Sequence, residues 1–182
     1  MAKGDELPLR KVCTMEKIQK YFDLLHDAGV CRAERIQADS IVTAPWTIYK
    51  CRYGCDFYGK SACCPPHAPT WKETKEIVDC YDFGILFNTN DDSWTGITPL
   101  AVELARVAFL DGYYKAIAFG SGPCGICEEC SVDHCRFPKK TVPSMEGCGI
   151  DVFATARNNG FTINTVKEKT DQHNYFGLVL FE

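Results

Sequence analysis

No apolar run in this sequence approaches the ~20 residues that a membrane-spanning helix needs, so no membrane partner is expected. The first residues, Met-Ala-Lys-Gly-Asp-Glu-Leu-Pro, lack the apolar stretch of a secretory signal, which points to a cytoplasmic protein. A basic stripe is missing too. Twenty Lys and Arg are set against 24 Asp and Glu, a net charge of −4. The nearest basic clusters, Lys139-Lys140 and Lys167/Lys169, are short, diluted by acids and read as solvated surface, so a nucleic-acid partner is not expected. There is no internal repeat or low-complexity linker, and residues 1–182 read as a single domain. Glycine-rich phosphate loops, GxSxG elbows and HExxH pairs are also absent, which removes the commonest phosphate-binding, hydrolase and metalloprotease signatures.

What the sequence has in excess is cysteine, 12 in 182 residues. Disulfides are rare in a reducing compartment, and a domain this long buries enough core without them. Metal is the default explanation.

The pattern along the chain alternates helices with short apolar strands. Residues 14–28 read as an amphipathic helix, with Ile18, Tyr21, Phe22 and Leu25 on one face, Thr14 as N-cap and Gly29 just past the end. Residues 41–50 read as extended, with Pro45 making them an edge strand or two short pieces. Thr70-Trp-Lys-Glu73 is a capping box opening a helix to about Tyr81. A strand over 83–87 follows. Then comes a helix from Thr98-Pro99 to Leu110, closed by Gly112, and a strand over 114–119. A helix over 144–158 and a hairpin of strands 161–166 and 175–181 complete the pattern. The expected fold is α/β, a mixed sheet flanked by helices, with cysteine-rich loops over 51–69 and 120–149 leaving the C-terminal ends of strands.

The second loop is the more specific. Cys124-Gly-Ile-Cys127-Glu-Glu-Cys130-Ser-Val-Asp-His-Cys135-Arg-Phe-Pro138 matches the ferredoxin run C-x2-C-x2-C-x3-C-P except for one extra residue before the fourth cysteine and two before the proline. Three cysteines at successive x2 spacings crowd a tetrahedral zinc, which usually takes two separated C-x2-C knuckles. They suit a [4Fe–4S] cluster, whose irons are spread over several ångströms. Gly120, Gly122 and Gly125 leave room for backbone amides near the sulfides.

The first loop runs Cys51-Arg-Tyr-Gly-Cys55-Asp-Phe-Tyr-Gly-Lys-Ser-Ala-Cys63-Cys64-Pro-Pro-His67. Its C-x3-C start lacks the third cysteine two residues on that a radical-SAM loop requires. Cys51, Cys55 and Cys64 read as three ligands, with Pro65-Pro66 as a rigid extended exit. Cys63 points away from its neighbour and reads as a packed thiol or a spare. His67 is a candidate ligand or donor, more simply a loop histidine beside two prolines. Two completions are open: Cys135 crosses to the first cluster while Cys148 joins the second, or Cys135 closes its own cluster and leaves the first with an open iron.

Cys13, Cys31 and Cys80 read as small buried hydrophobes. Cys148, flanked by glycines, is equally a ligand or a packing residue. Arg136, Arg157 and Lys60 are candidate counter-charges, and Lys60 reads more simply as surface. Arg52, His67, Arg136 and Arg157 are candidate orienting groups for a substrate. Asp151 and Glu146 read as helix-dipole partners, and Tyr53, Phe57 and Tyr58 as a shield around the first loop.

The segments WTIYKCRYGCDFYGKSACCPPHAPT and GSGPCGICEECSVDHCRFPKKTVPSMEGCGIDVFATARNNGF resemble the predicted metal-binding proteins of the DUF2284 family, found mainly in anaerobic archaea and bacteria. The resemblance covers residues 46–182. It implies iron–sulfur or other metal binding by Cys51, Cys55, Cys64, Cys124, Cys127, Cys130 and Cys135. Cys63 departs from the family pattern.

Two [4Fe–4S] clusters and a role in electron transfer, with a redox protein as partner, are the expectation. An enzyme with a three-cysteine cluster and an open iron is the alternative. A zinc-stabilised module is the third reading, and the least compatible with the x2-x2 spacing.

Overall fold

Among the described residues, four strands and five α-helices follow from a few local rules. The computed structural model describes residues 9–90, 94–168 and 170–182, the side chains of 9–17 and 94 excepted. Helix α1 (Leu9–Asp27) begins before Thr14, so Thr14 is not its N-cap. It ends at Gly29, which adopts φ +82°, while the Val30 N–H donates back to the Leu25 carbonyl at 3.0 Å. Strand β1 (Arg32–Gln37) follows. Residues 41–50 are not the expected edge strand: α2 (Pro45–Gly54) starts there, with Pro45 in the first turn, where a missing N–H costs nothing. Helix α3 (Trp71–Val78) carries the capping box: the Glu73 N–H donates to Thr70 Oγ1, and Glu73 Oε2 accepts from the Thr70 N–H at 2.8 Å. Strand β2 (Phe83–Thr89), α4 (Ile97–Leu110) and β3 (Ile117–Phe119) come next. The N-cap of α4 is Gly96, and Thr98 lies inside its first turn.

The expected helix over 144–158 is two pieces. A 3-10 turn, Glu146–Cys148, is stopped by Gly149, and α5 (Val152–Asn158) restarts with Asp151 accepting from the Ala154 N–H at 2.9 Å. Gly149 is doubly required. Its φ is +84°, and a Cβ there would lie 2.4 Å from Trp71 Cβ at the start of α3. Residues 161–166 are not a strand. Phe161 and Ile163 are buried in alternation, but no neighbouring strand pairs with them. The hairpin is therefore replaced by a lone β4 (Tyr175–Phe181).

The sheet order is β1-β2-β4-β3. Pairing is antiparallel throughout, with Ile85 opposite Val179 and Ile117 opposite Leu180, so the sheet is flanked by helices as expected but not mixed in strand direction. Every residue of β2 is buried, the pattern of a strand covered on both faces. On one face Phe83, Ile85, Phe87, Val179 and Phe181 pack against Tyr21 and Leu25 of α1 and Ala101 and Leu104 of α4. On the other, Leu86, Leu178 and Leu180 pack against Val78 of α3, Ala156 of α5, Met145 and Cys148.

Both cysteine segments are excursions from this sheet. The first lies in the connection between β1 and β2 and leaves the end of helix α2, not a strand. The second lies between β3 and β4 and does leave a strand. Backbone contacts tie them together. The Ala44 N–H donates to the Gly149 carbonyl and the Asp151 N–H to the Val42 carbonyl, each at 2.8 Å, on either side of a bridge between Thr43 and Ile150. A second pinch closes the base of the cysteine loop: the Gly120 N–H donates to Pro143 at 2.9 Å and the Met145 N–H to Gly120 at 3.0 Å. Gly120 lies so close to Thr98 that a Cβ would meet its Oγ1 at 2.2 Å.

Candidate metal centre

Cys51 sits in the last turn of α2 and Cys55 is its C-cap, one helical turn on, so the C-x3-C spacing is the i, i+4 spacing that puts two side chains on one helix face. Both residues line a cavity. Burial pushes the Cys51 thiol up, with Cys55 and Glu146 adding to the rise.

The chain then coils on itself. The Gly59 N–H donates to Pro65 at 2.8 Å, the Cys64 N–H to Ser61 at 3.1 Å, and the His67 N–H to Cys64 at 2.9 Å. Cys64 is therefore held in a turn, not in the rigid extended exit that its two prolines suggest. It is buried, its thiol is raised by desolvation, and it lies within electrostatic reach of Cys55, Cys51 and Cys124.

Cys63 faces the other way. It lines a small cavity together with Cys124, Cys127, Cys130 and Cys135. Burial pushes its thiol up to about 11 against a contact with Thr141 Oγ1 at 3.4 Å, and Cys124 and Cys135 add to the rise. Next to it the Ala62 N–H donates to Cys130 Sγ at 3.4 Å. Amide–sulfur hydrogen bonds of this kind tune a cluster's potential. The neighbours of the two adjacent cysteines thus differ in part: Cys64 lies nearer Cys51 and Cys55, Cys63 lines the second loop's cavity, and Cys124 is within electrostatic reach of both. Among the described residues, no three His, Cys, Asp or Glu side chains converge on a point that would hold a single metal ion. No disulfide forms among the described cysteines.

The remaining candidates separate. Cys148 is fully buried in the core beside α3, and burial raises its thiol to about 12 against a contact with Thr74. Cys31 and Cys80 are exposed, not the buried hydrophobes expected, and Cys80 donates to the Glu76 carbonyl at 3.3 Å. The Cys13 side chain and Lys169 lie outside the described residues. His67 is exposed and lines a groove with Thr70, Glu73 and Cys80 that none of the seven candidate cysteines lines. Of the three aromatics expected around the first loop, Tyr53 and Phe57 are exposed and Tyr58 is half-buried. Arg157 donates to the Ile163 carbonyl at 3.1 Å, Arg136 donates to the Glu129 carbonyl, Arg52 lies over the Tyr53 ring, and Lys60 is exposed.

Glu146, read from sequence as a dipole partner, lines the same cavity as Cys51 and Cys55. The residue keeps surface open to that cavity, yet desolvation pushes its carboxyl above the usual range, against backbone and Ser144 hydrogen bonds that pull it down. No spacing rule connects residue 146 to residues 51 and 55, so sequence reasoning had no means of placing it here. For Cys63 the clue was present: a thiol that points away from its neighbour is free to serve a different centre.

Thiolates suit soft metals, zinc and iron–sulfur clusters alike, and these cysteines are the residues that could hold a metal here. Neither a curated protein nor a solved structure matches the chain. A family model described as a predicted metal-binding protein matches residues 34–181, and the chain belongs to that family, DUF2284.

Proposed function

We propose that the protein binds two [4Fe–4S] clusters and passes single electrons to a protein partner in the cytoplasm, within one domain whose cysteine loops span 51–69 and 120–149. The observation that carries this reading is the divergence of Cys63 and Cys64. It brings an eighth cysteine to seven candidates, and two fully ligated cubanes need eight. Cys51, Cys55 and Cys64 make one group, and Cys63, Cys127, Cys130 and Cys135 the other. Cys124 lies within electrostatic reach of both Cys63 and Cys64, and assigning it to the first group gives four and four. Crossed ligation of this kind keeps two clusters close in two-cluster ferredoxins. When bound, such clusters supply one-electron carriers, and the chain's own part is to hold them and to set their potential through amides such as that of Ala62.

A second reading draws support from the cavity at Cys51 and Cys55. There the first cluster has three cysteines and an open iron facing the cavity, and the protein is an enzyme using that iron as Lewis acid or sulfur acceptor. Protein purified without oxygen distinguishes the two. About eight iron and eight sulfide per chain, with an EPR spectrum that mild oxidation does not convert to a three-iron form, is the result expected for the carrier. A three-iron form supports the open-iron enzyme. Stoichiometric zinc without iron overturns both and leaves a zinc-binding structural module.

A further inference from the structure

A cavity of about 460 Å3 opens beside the first cysteine group, within the size range of small-molecule sites. Most of its lining is apolar, and three aromatic residues, Trp46, Phe153 and Tyr175, form its flat surfaces. Trp46 is 42% exposed, a large aromatic surface left open on the wall of a hollow. Lys50 is the one lysine or arginine among the lining residues, its ammonium 5.3 Å from the centre of the Trp46 ring. No carboxylate pairs with Lys50 among the described residues. Glu146 and His173 also line the cavity, and Glu146 makes no ion pair with Lys50. Apolar flat walls favour a flat apolar body, and the Lys50 ammonium on the Trp46 side offers a contact to one negative charge.

We infer that this cavity binds a small aromatic carboxylate, its ring against the aromatic walls and its carboxylate at Lys50, with Cys51 and Cys55 in the lining of the site. Binding itself is independent of the metal. Only the neighbourhood of ligand and cluster rests on the function proposed above.

The test is isothermal titration calorimetry of the full chain, purified without oxygen and assayed for iron. The probes are 2-naphthoate and the neutral 2-naphthalenemethanol. Naphthoate binds saturably, and the alcohol about tenfold more weakly, the factor that about 1.4 kcal/mol of a charged contact supplies. Lys50→Met, an exposed position whose change leaves the fold intact, brings naphthoate down to the level of the alcohol. Ile163→Trp, which fills the cavity, removes both. Absence of saturable binding, equal affinity for the two probes, or an unchanged Lys50→Met overturns the inference. In iron-loaded protein, naphthoate shifts one reduced-cluster EPR signal, and unshifted spectra despite saturable binding overturn the location. A preparation without iron defeats the proposed function, while calorimetry still decides the cavity.

Discussion

Cys63 and Cys64 are consecutive residues with different surroundings, one beside Thr141 and the second loop, the other buried toward α2. A backbone turn, closed by the Cys64 N–H on Ser61, holds the pair, and the two side chains meet partly different neighbours. The consequence is testable one residue at a time. Cys63→Ser is expected to lose about half the iron, one cluster of two, because an alcohol is a poor iron ligand. Cys148→Ser is expected to keep its iron and to lose about 1–3 kcal/mol of stability, the cost of burying a hydroxyl in an apolar core. Iron and sulfide assays with a denaturant titration read both, and the opposite pattern would exchange their roles. Spacing made the 124–135 run legible in the sequence. For Cys63 the sequence offered only the hint that it turns from its neighbour; which residues it meets depends on where the 124–135 loop comes to lie.

Among the elements, α3 is the one whose start the sequence spelled out, because the bonds that cap it are local. Thr70 and Glu73 satisfy each other's backbone donors, and hydrogen bonds from the Thr70 N–H and hydroxyl hold the Glu73 carboxyl below its usual value. A depressed carboxylate stabilises the fold above its unfolded value, about 4.3, and that contribution is lost as pH falls through the lower folded value. Glu73→Gln should therefore lower the Tm at neutral pH, with the gap to the parent protein closing as the pH falls below the unfolded value and through the lower folded one. A gap that stays constant with pH would mean that charge plays no part. Other elements were misread for reasons outside their own residues. Residues 41–50 look extended because Ile41, Val42 and Thr43 are β-branched, yet the helix begins just afterwards at Pro45. The alternation over 161–166 gives the correct burial of Phe161 and Ile163 but no pairing partner, since β4 is already flanked by β2 and β3.

At the scale of the whole molecule, the sheet has a hydrophobic cluster on each face, and neither is built chiefly from cysteine. Metal is therefore expected to organise the excursions without being needed for the sheet. Stripping it with a chelator should leave far-UV circular dichroism and amide protection in β2 and β4 nearly unchanged, while protection falls at 55–69 and 121–143. Collapse of the whole spectrum would show instead that the centres and the sheet fold as one unit. The position of β4 has a further consequence, for synthesis on the ribosome. This strand comes after every cysteine in the sequence, yet it pairs with β2 and β3 at the middle of the sheet. At about 5–20 residues per second, the stretch from Cys135 to Phe181 takes a few seconds to make. During that interval the surface that will hold the cysteine loops is incomplete, because its central strand has not been made. Metal delivered before the last strand arrives meets an open chain, so the order of events in the cell is expected to be sheet closure first and loading second.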